Sequence, residues 1–111
     1  WNYQLAIQDG KSGTDANVPV EFTIGNPYPN PFNGIIQFSL YMMKESPVSI
    51  NVIDLSGKQI SRIHNGNLSI GNHNFSWQGK NASGRSVSSG VYYIKVSGKS
   101  TEEWRPITFV K

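Results

Sequence analysis

The chain contains no cysteine, which excludes disulfides, thiolate metal ligands and cysteine nucleophiles. It has no apolar run close to the roughly 20 residues that a membrane-spanning helix needs, and no signal-peptide pattern opens it. Lys and Arg number 10 against 7 Asp and Glu, a net charge of +3, but these charges are scattered singly. Because nucleic-acid binding needs basic residues gathered on one face, we expect no nucleic-acid partner.

Residue patterns for catalysis or metal binding are equally scarce. With two His and dispersed carboxylates, the sequence indicates no transition-metal site. Glu102 and Glu103 are adjacent, so on a strand they would face opposite sides and could not act together on a glycosidic bond. No serine lies in a nucleophile elbow and no glycine loop opens a helix. We therefore predict a non-catalytic protein without a cofactor; the one alternative is calcium at the Asp54 turn.

Apolar residues at every second position are the main positive signal, and this spacing is typical of half-buried β-strands. The first run places Val20, Phe22 and Ile24 on one face and Glu21 on the other. From Val18 onward, about seven such runs alternate with turn residues and no helical periodicity is sustained. This pattern predicts an all-β immunoglobulin-like or fibronectin-III-like antiparallel β-sandwich. The predicted core is Phe22, Ile36, Phe38, Leu40, Val48, Ile50, Val52, Ile60, Phe75, Trp77, Tyr92, Ile94 and Val96.

Residues 1–17 differ in pattern from the rest of the chain. Trp1 to Ile7 alternate as a strand would, and residues 9–17 are polar, contain two glycines and show no periodicity. We predict an upstream strand plus flexible linker over residues 1–17 and the sandwich domain over residues 18–111. The strand could end a preceding domain or add an edge to this one. Because the chain starts at Trp1 and not at Met, we interpret it as a processed product or an excised module.

Turn and breaker residues give three local predictions. Residues 26–33, rich in Pro and Asn, should form a loop that cannot join a sheet. The Asn65-Gly66 dipeptide favours a tight reversal. Pro106 indicates that the last strand is an edge strand or bulges at that point.

Six motifs occur in one order along residues 18–111. They are YPNPFN at 28–33, DLSGK at 54–58, GNHNFSW at 71–77, GKNASG at 79–84, GVY at 90–92 and the final Lys111. In this order they resemble the type A C-terminal sorting domain of type IX secretion substrates. They are also similar to the immunoglobulin-like domain of flagellar hook-capping proteins.

The resemblance implies a sorting and anchoring module that ends a larger exported bacterial protein. An upstream cargo domain would share the chain and pass through the periplasm to the cell surface or the medium. The partners implied are the outer-membrane secretion machinery and a sortase-like transpeptidase that attaches cargo to a surface glycolipid. By position, the resemblance assigns recognition to Pro29, Asn30, Pro31, Gly90, Tyr92 and Lys111.

A physical account of recognition starts from the last strand. The edge of a sheet leaves backbone groups unpaired, and another protein can pair with them. We expect Ile107, Phe109 and Lys111 to lie on such an open edge. Gly90 and Tyr92 also fit a purely structural role, as a turn glycine and a core tyrosine whose hydroxyl bonds to a loop. Pro29 and Pro31 fit a stiff crossover equally well.

Two other functions remain open on the sequence alone. A carbohydrate-binding module would use exposed aromatic rings as a platform, and the candidates are Trp1, Tyr41, Tyr93 and Trp104. A passive structural spacer of a secreted enzyme would need no such surface.

Overall fold

The computed structural model describes residues 20–111, and within them seven antiparallel strands form two sheets. The three-stranded sheet has the order β1-β2-β5, and the four-stranded sheet has the order β4-β3-β6-β7. The predicted immunoglobulin-like sandwich is therefore confirmed. The predicted strand and linker over residues 1–17 lie outside the described residues. The strands are β1 (Phe22–Ile24), β2 (Ile36–Met42), β3 (Ser46–Asp54), β4 (Gln59–Leu68), β5 (Gly71–Trp77), β6 (Gly90–Ser97) and β7 (Glu102–Phe109).

One apolar core lies between the sheets, because each strand turns alternate residues toward the other sheet. In β2, for example, Ile36, Phe38 and Leu40 are fully buried. All of the predicted core residues are buried except Ile60 and Phe75, which pack against the core but are only partly buried. Each of these two lies on an edge strand, β4 or β5, where one flank has no neighbouring strand. The core also contains Ile24, Phe32, Met42, Leu68, Ile107 and Phe109, which the pattern did not predict.

Glu21 is buried, contrary to the alternation that placed it on the outer face. Only 1% of its surface is exposed, whereas Val20 before it is exposed. Its carboxylate accepts hydrogen bonds from the hydroxyl of Ser46 (3.0 Å) and the backbone N–H groups of Ser100 (2.9 Å) and Thr101 (3.1 Å). A buried carboxylate is tolerated when donors surround it in this way. The residue thus ties the start of the domain to the turn between β6 and β7.

Asn65-Gly66 does not form the predicted reversal. Strand β4 continues through both residues, and Gly66 pairs with Val48 of β3. The positive φ of Gly66, 149°, is accommodated inside the strand, so the glycine permits a local distortion and no turn. The chain reverses after Leu68, immediately before β5.

Residues 25–33, here called the strap, cross from one sheet to the other. Tyr28 pairs with Gln37 of β2, and Phe32 pairs with Phe109 of β7. The prediction that this segment cannot join a sheet is therefore wrong. The prolines of the strap, such as Pro29, have no backbone N–H to donate. Tyr28, just before Pro29, keeps its N–H and donates it to Gln37 O (2.8 Å).

Within residues 20–111, no helix is long and apolar enough to span a bilayer.

Candidate recognition site

The strap covers the outer edge of the C-terminal half of β7. The Asn30 side chain donates to Pro106 O (3.2 Å) and accepts from Thr108 N (2.9 Å). Phe32 continues the pairing, with its N donating to Thr108 O and its O accepting from Val110 N, both at 2.9 Å. Asn30 therefore acts like one more residue of a paired strand, and Phe32 completes a short parallel ladder.

The expectation of an open edge at Ile107, Phe109 and Lys111 is wrong for this reason. The outward-facing backbone groups beside these residues are already bonded to the strap, and Lys111 N donates to Ser89 Oγ (2.9 Å). The prediction from Pro106 is confirmed, because β7 is the edge strand of its sheet. The backbone carbonyl of Pro106 points away from β6 and accepts a hydrogen bond from Asn30. The N–H that proline lacks would point the same way, so its absence costs no hydrogen bond to β6.

Four aromatic rings meet beneath the strap. The ring centroids of Phe32 and Phe109 are 5.0 Å apart, and Trp77 lies 5.8 Å from Phe32 and 5.5 Å from Tyr92. Gly79 packs directly against the Phe109 ring of this cluster. A Cβ at this position would lie only 2.7 Å from Phe109 Cζ, so the close contact needs glycine. Tilted contacts at these distances are favourable beyond the area they bury. Residues of four of the six motifs thus meet at this end of the sandwich, and Asp54 of a fifth pairs with Tyr92.

Gly90 and Tyr92 are held by structural contacts. Tyr92 is buried in the core, and its hydroxyl donates to Ser88 O (2.7 Å). Burial raises the pKa of this phenol, because the charged form is poorly solvated there. Gly90 pairs with Phe109 at the start of β6. Both positions therefore support the end of β7 from the side opposite the strap.

The residues assigned to recognition divide into an exposed group and a buried group. Pro29, Asn30, Pro31 and Lys111 are exposed. In contrast, the side chains of Tyr92, Ile107 and Phe109 are buried, and Gly90 is half-buried. Sequence reasoning missed Phe32, Trp77 and Thr108 as partners in this arrangement. The signal that could have found Phe32 is its position between Pro31 and Asn33 in a polar, proline-rich segment, where a large apolar side chain needs a core to pack into.

Among the described residues the candidate aromatic platform assembles only in part, because the rings of Tyr93 and Trp104 pack with centroids 5.8 Å apart while Tyr41 lies away from them. Tyr41 lies on the outer face of the three-stranded sheet, whereas Tyr93 and Trp104 lie on the outer face of the four-stranded sheet. Two neighbouring side chains contact Trp104. Lys95 Nζ lies 5.1 Å from its ring centroid, and its indole N–H donates to the Glu102 carboxylate (2.8 Å). Trp1 lies outside the described residues.

Two turns share one construction. Asp54 Oδ1 accepts from Ser56 N, Ser56 Oγ and Lys58 N at 2.7 to 2.9 Å. Asn81 Oδ1 accepts the corresponding three bonds from the residues two and four positions later. These bonds, led by the Ser56 hydroxyl, hold the pKa of Asp54 below its ordinary value. The Asp54 oxygen considered for calcium is thus used by its own turn, and residues 20–111 hold no cluster of His, Asp and Glu suited to a metal.

The seven-stranded sandwich, with one end sealed by a strap and an aromatic cluster, defines a small immunoglobulin-like domain. The model of the FlgD Ig-like domain family matches residues 30–102, and the chain belongs to this family. The match runs from Asn30 in the strap to the first residue of β7, so it leaves out β1 and the rest of β7.

A solved structure supports the fold. The domain is similar to part of dimeric latent PorU from Porphyromonas gingivalis, with a TM-score of 0.65 and 14% sequence identity. The alignment covers 87% of this chain but 10% of the PorU chain, so the similarity concerns one small portion of that protein. No curated protein sequence matches the chain.

Proposed function

We propose that this domain is a type A sorting and anchoring module of type IX secretion. In this proposal the outer-membrane secretion machinery recognises the surface formed by the strap and the end of β7. The domain carries an upstream cargo domain through the periplasm to the cell surface or the medium, where a sortase-like transpeptidase acts on it. It performs no catalysis itself.

The observation that carries the proposal is the hydrogen bond between Asn30 and Thr108, which are 78 positions apart. It joins the proline motif of the resemblance to the last strand, so that the exposed Pro29 and Pro31 form one surface with the end of β7. Such a surface exists only after the domain has folded. A receptor that reads it would therefore select chains in which this domain is folded, and would need no free strand edge.

The comparisons support the proposal at the level of the fold. Membership of the FlgD Ig-like family fits a non-catalytic assembly role, and the similarity to part of PorU places the same architecture in another bacterial protein. The sorting role itself rests on the arrangement of the strap and β7.

The experiment is export of a periplasmic reporter fused to residues 18–111 in a bacterium that has type IX secretion. We expect the fusion to reach the surface or the medium, and Asn30→Ala to reduce export. Asn33→Ala is the matched control, because Asn33 is an exposed strap residue that is not paired with β7 in the structure. Retention of the unmodified fusion in the periplasm, with the domain folded, would overturn the proposal in favour of a spacer.

A further inference from the structure

The three-stranded sheet carries no formal charge. Strands β1, β2 and β5 contain no Asp, Glu, Lys or Arg. In contrast, the four-stranded sheet carries Asp54, Arg62, Lys95, Glu102, Glu103 and Arg105. Protein surfaces are typically about 25–35% charged, and exposed edge strands are usually protected by charge. The lack of charge on this sheet therefore requires an explanation.

The outer face of this sheet consists of amides, hydroxyls and the ring of Tyr41, and Tyr28 of the strap, which pairs with Gln37, adds a second exposed ring at its end. Its residues occupy the alternate positions that face away from the core, and cross-strand pairing arranges them in rows. Tyr41 lies between Thr23 and Asn72, and the next two rows pair Ser39 with Asn74 and Gln37 with Ser76. Rows two residues apart along a strand are spaced by about 7 Å, so the face is an extended strip and not a pocket.

The chemistry of this strip matches a sugar chain. Amide and hydroxyl groups both donate and accept hydrogen bonds, as sugar hydroxyls do. Tyr41 is 48% exposed and offers an aromatic surface for the C–H groups of a sugar ring. Asn72 donates to Asn74 (3.3 Å), which holds two of the amides in a fixed relation.

Other ligand classes fit this strip less well. A charged ligand finds no opposite charge on these strands, and an apolar ligand finds two separate tyrosine rings, Tyr41 and Tyr28, among polar groups. We infer that the outer face of the β1-β2-β5 sheet binds an uncharged polysaccharide that lies along the rows from Tyr41 to Gln37. The strap borders this face where Tyr28 pairs with Gln37, but the inference does not rest on the sorting role.

The test uses the chain of residues 1–111 and electrophoresis through gels that contain a neutral soluble polysaccharide. Hydroxyethyl cellulose, laminarin and glucomannan are the probes, and heparin is the anionic comparator. We expect retardation by at least one neutral polysaccharide. Tyr41→Ala should weaken it about tenfold, the loss expected on removing a central aromatic contact. Asn74→Asp keeps the side-chain shape but adds charge, and it should weaken binding similarly.

Trp104→Ala on the opposite face is the matched control and should leave retardation unchanged. Denaturant unfolding of each variant shows whether the sandwich remains folded, and Asn74→Asp serves as the test if Tyr41→Ala does not fold. Three results would overturn the inference: no retardation by any neutral polysaccharide, equal retardation by heparin, or loss with Trp104→Ala but not with Tyr41→Ala. Self-association that Asn74→Asp abolishes, without glycan binding, would assign the face to a second copy of the chain.

Discussion

The carboxylate of Glu21 occupies the space that a side chain at position 98 would need. A Cβ on Gly98 would lie 2.6 Å from Glu21 Oε1 and 3.0 Å from the Phe22 ring. Glycine therefore allows the turn between β6 and β7 to close over the carboxylate, where Ser100 N and Thr101 N donate to it. This contact joins β1 to a turn almost 80 positions later in the chain.

Gly98→Ala should destabilise the domain because the added methyl overlaps both neighbours. Overpacking of this kind costs about 1 to 3 kcal/mol. Urea unfolding measures the free energy of unfolding, and Gly34→Ala is the matched control because a Cβ at Gly34 meets nothing within 4 Å. Equal stabilities of the two variants would show that the turn moves away from Glu21 without cost.

Glu21 should make stability depend on acid pH. Burial opposes ionisation of this carboxyl, but hydrogen bonds from Ser100 N, Ser46 Oγ and the Lys99 and Thr101 N–H groups together hold its pKa below the ordinary value of 4.5. Because the folded pKa is the lower one, the stabilisation is fully present above the unfolded pKa. It is lost as pH falls through the folded pKa. The free energy of unfolding, measured between pH 3 and pH 7, should therefore fall at the acid end.

Glu21→Gln provides the comparison for this pH dependence. Gln keeps one acceptor oxygen and replaces the other with NH2, which then meets either the Lys99 N–H or the N–H groups of Ser100 and Thr101, so the variant should lose about 1 to 3 kcal/mol at pH 7. The difference between the two proteins should narrow as pH falls below 4.5. A constant difference over the whole range would show that Glu21 does not titrate with unfolding.

Much of the sandwich could be predicted because alternation is a local property. Ile36, Phe38 and Leu40 are buried for the reason that predicted them, which is the period of two in a strand. Glu21 could not be predicted, because its donors lie 25 to 80 positions away and only the tertiary structure brings them together. The turn predicted at Asn65-Gly66 does not form for a related reason. Pairing of β4 with β3 outweighs the local preference of this dipeptide for a turn.

The candidate site was predictable only in part. The motif at 28–33 and the last strand were both identified, but alternation cannot show that a loop pairs with a strand far along the chain. The side chain of Asn30 attaches the loop to β7, because it forms hydrogen bonds with the backbone of Pro106 and Thr108 as a neighbouring strand would. An asparagine side chain offers an N–H donor beside a carbonyl acceptor, as the backbone of a strand does, and no periodicity records that use.

Asn30→Ala should loosen the end of β7 locally. The variant loses two hydrogen bonds to the backbone, at about 1 kcal/mol each, so the free energy of unfolding should fall by about 1 to 2 kcal/mol. Hydrogen exchange at the Thr108 amide should accelerate, because that N–H loses its acceptor. Asn33→Ala should leave both quantities unchanged. Unaltered protection of Thr108 in Asn30→Ala would mean that Phe32 alone holds the strap in place.

Ser56→Ala should raise the pKa of Asp54 toward its ordinary value of 3.8. The Ser56 hydroxyl is the leading cause of the lowered pKa, followed by Lys58 N. The pKa can be read from the Asp54 side-chain carbon signal in an NMR titration. Ser83→Ala removes the equivalent hydroxyl bond from the Asn81 turn and should not alter the Asp54 pKa. If Ser56→Ala and Ser83→Ala shift the Asp54 pKa equally, the shift does not come from losing the hydrogen bond between Ser56 and Asp54.

Tyr92→Phe separates a structural role of the tyrosine from a recognition role. The variant removes the hydroxyl that donates to Ser88 O at 2.7 Å but keeps the ring against Trp77. The free energy of unfolding should therefore fall by about 1 kcal/mol. Tyr93→Phe, on the outer face, should cost less. Because the Tyr92 hydroxyl points to a loop of its own domain, we expect the reporter fusion with Tyr92→Phe to be exported as well as the unmodified one. Loss of export from a folded Tyr92→Phe domain would assign the hydroxyl to contact with the secretion machinery.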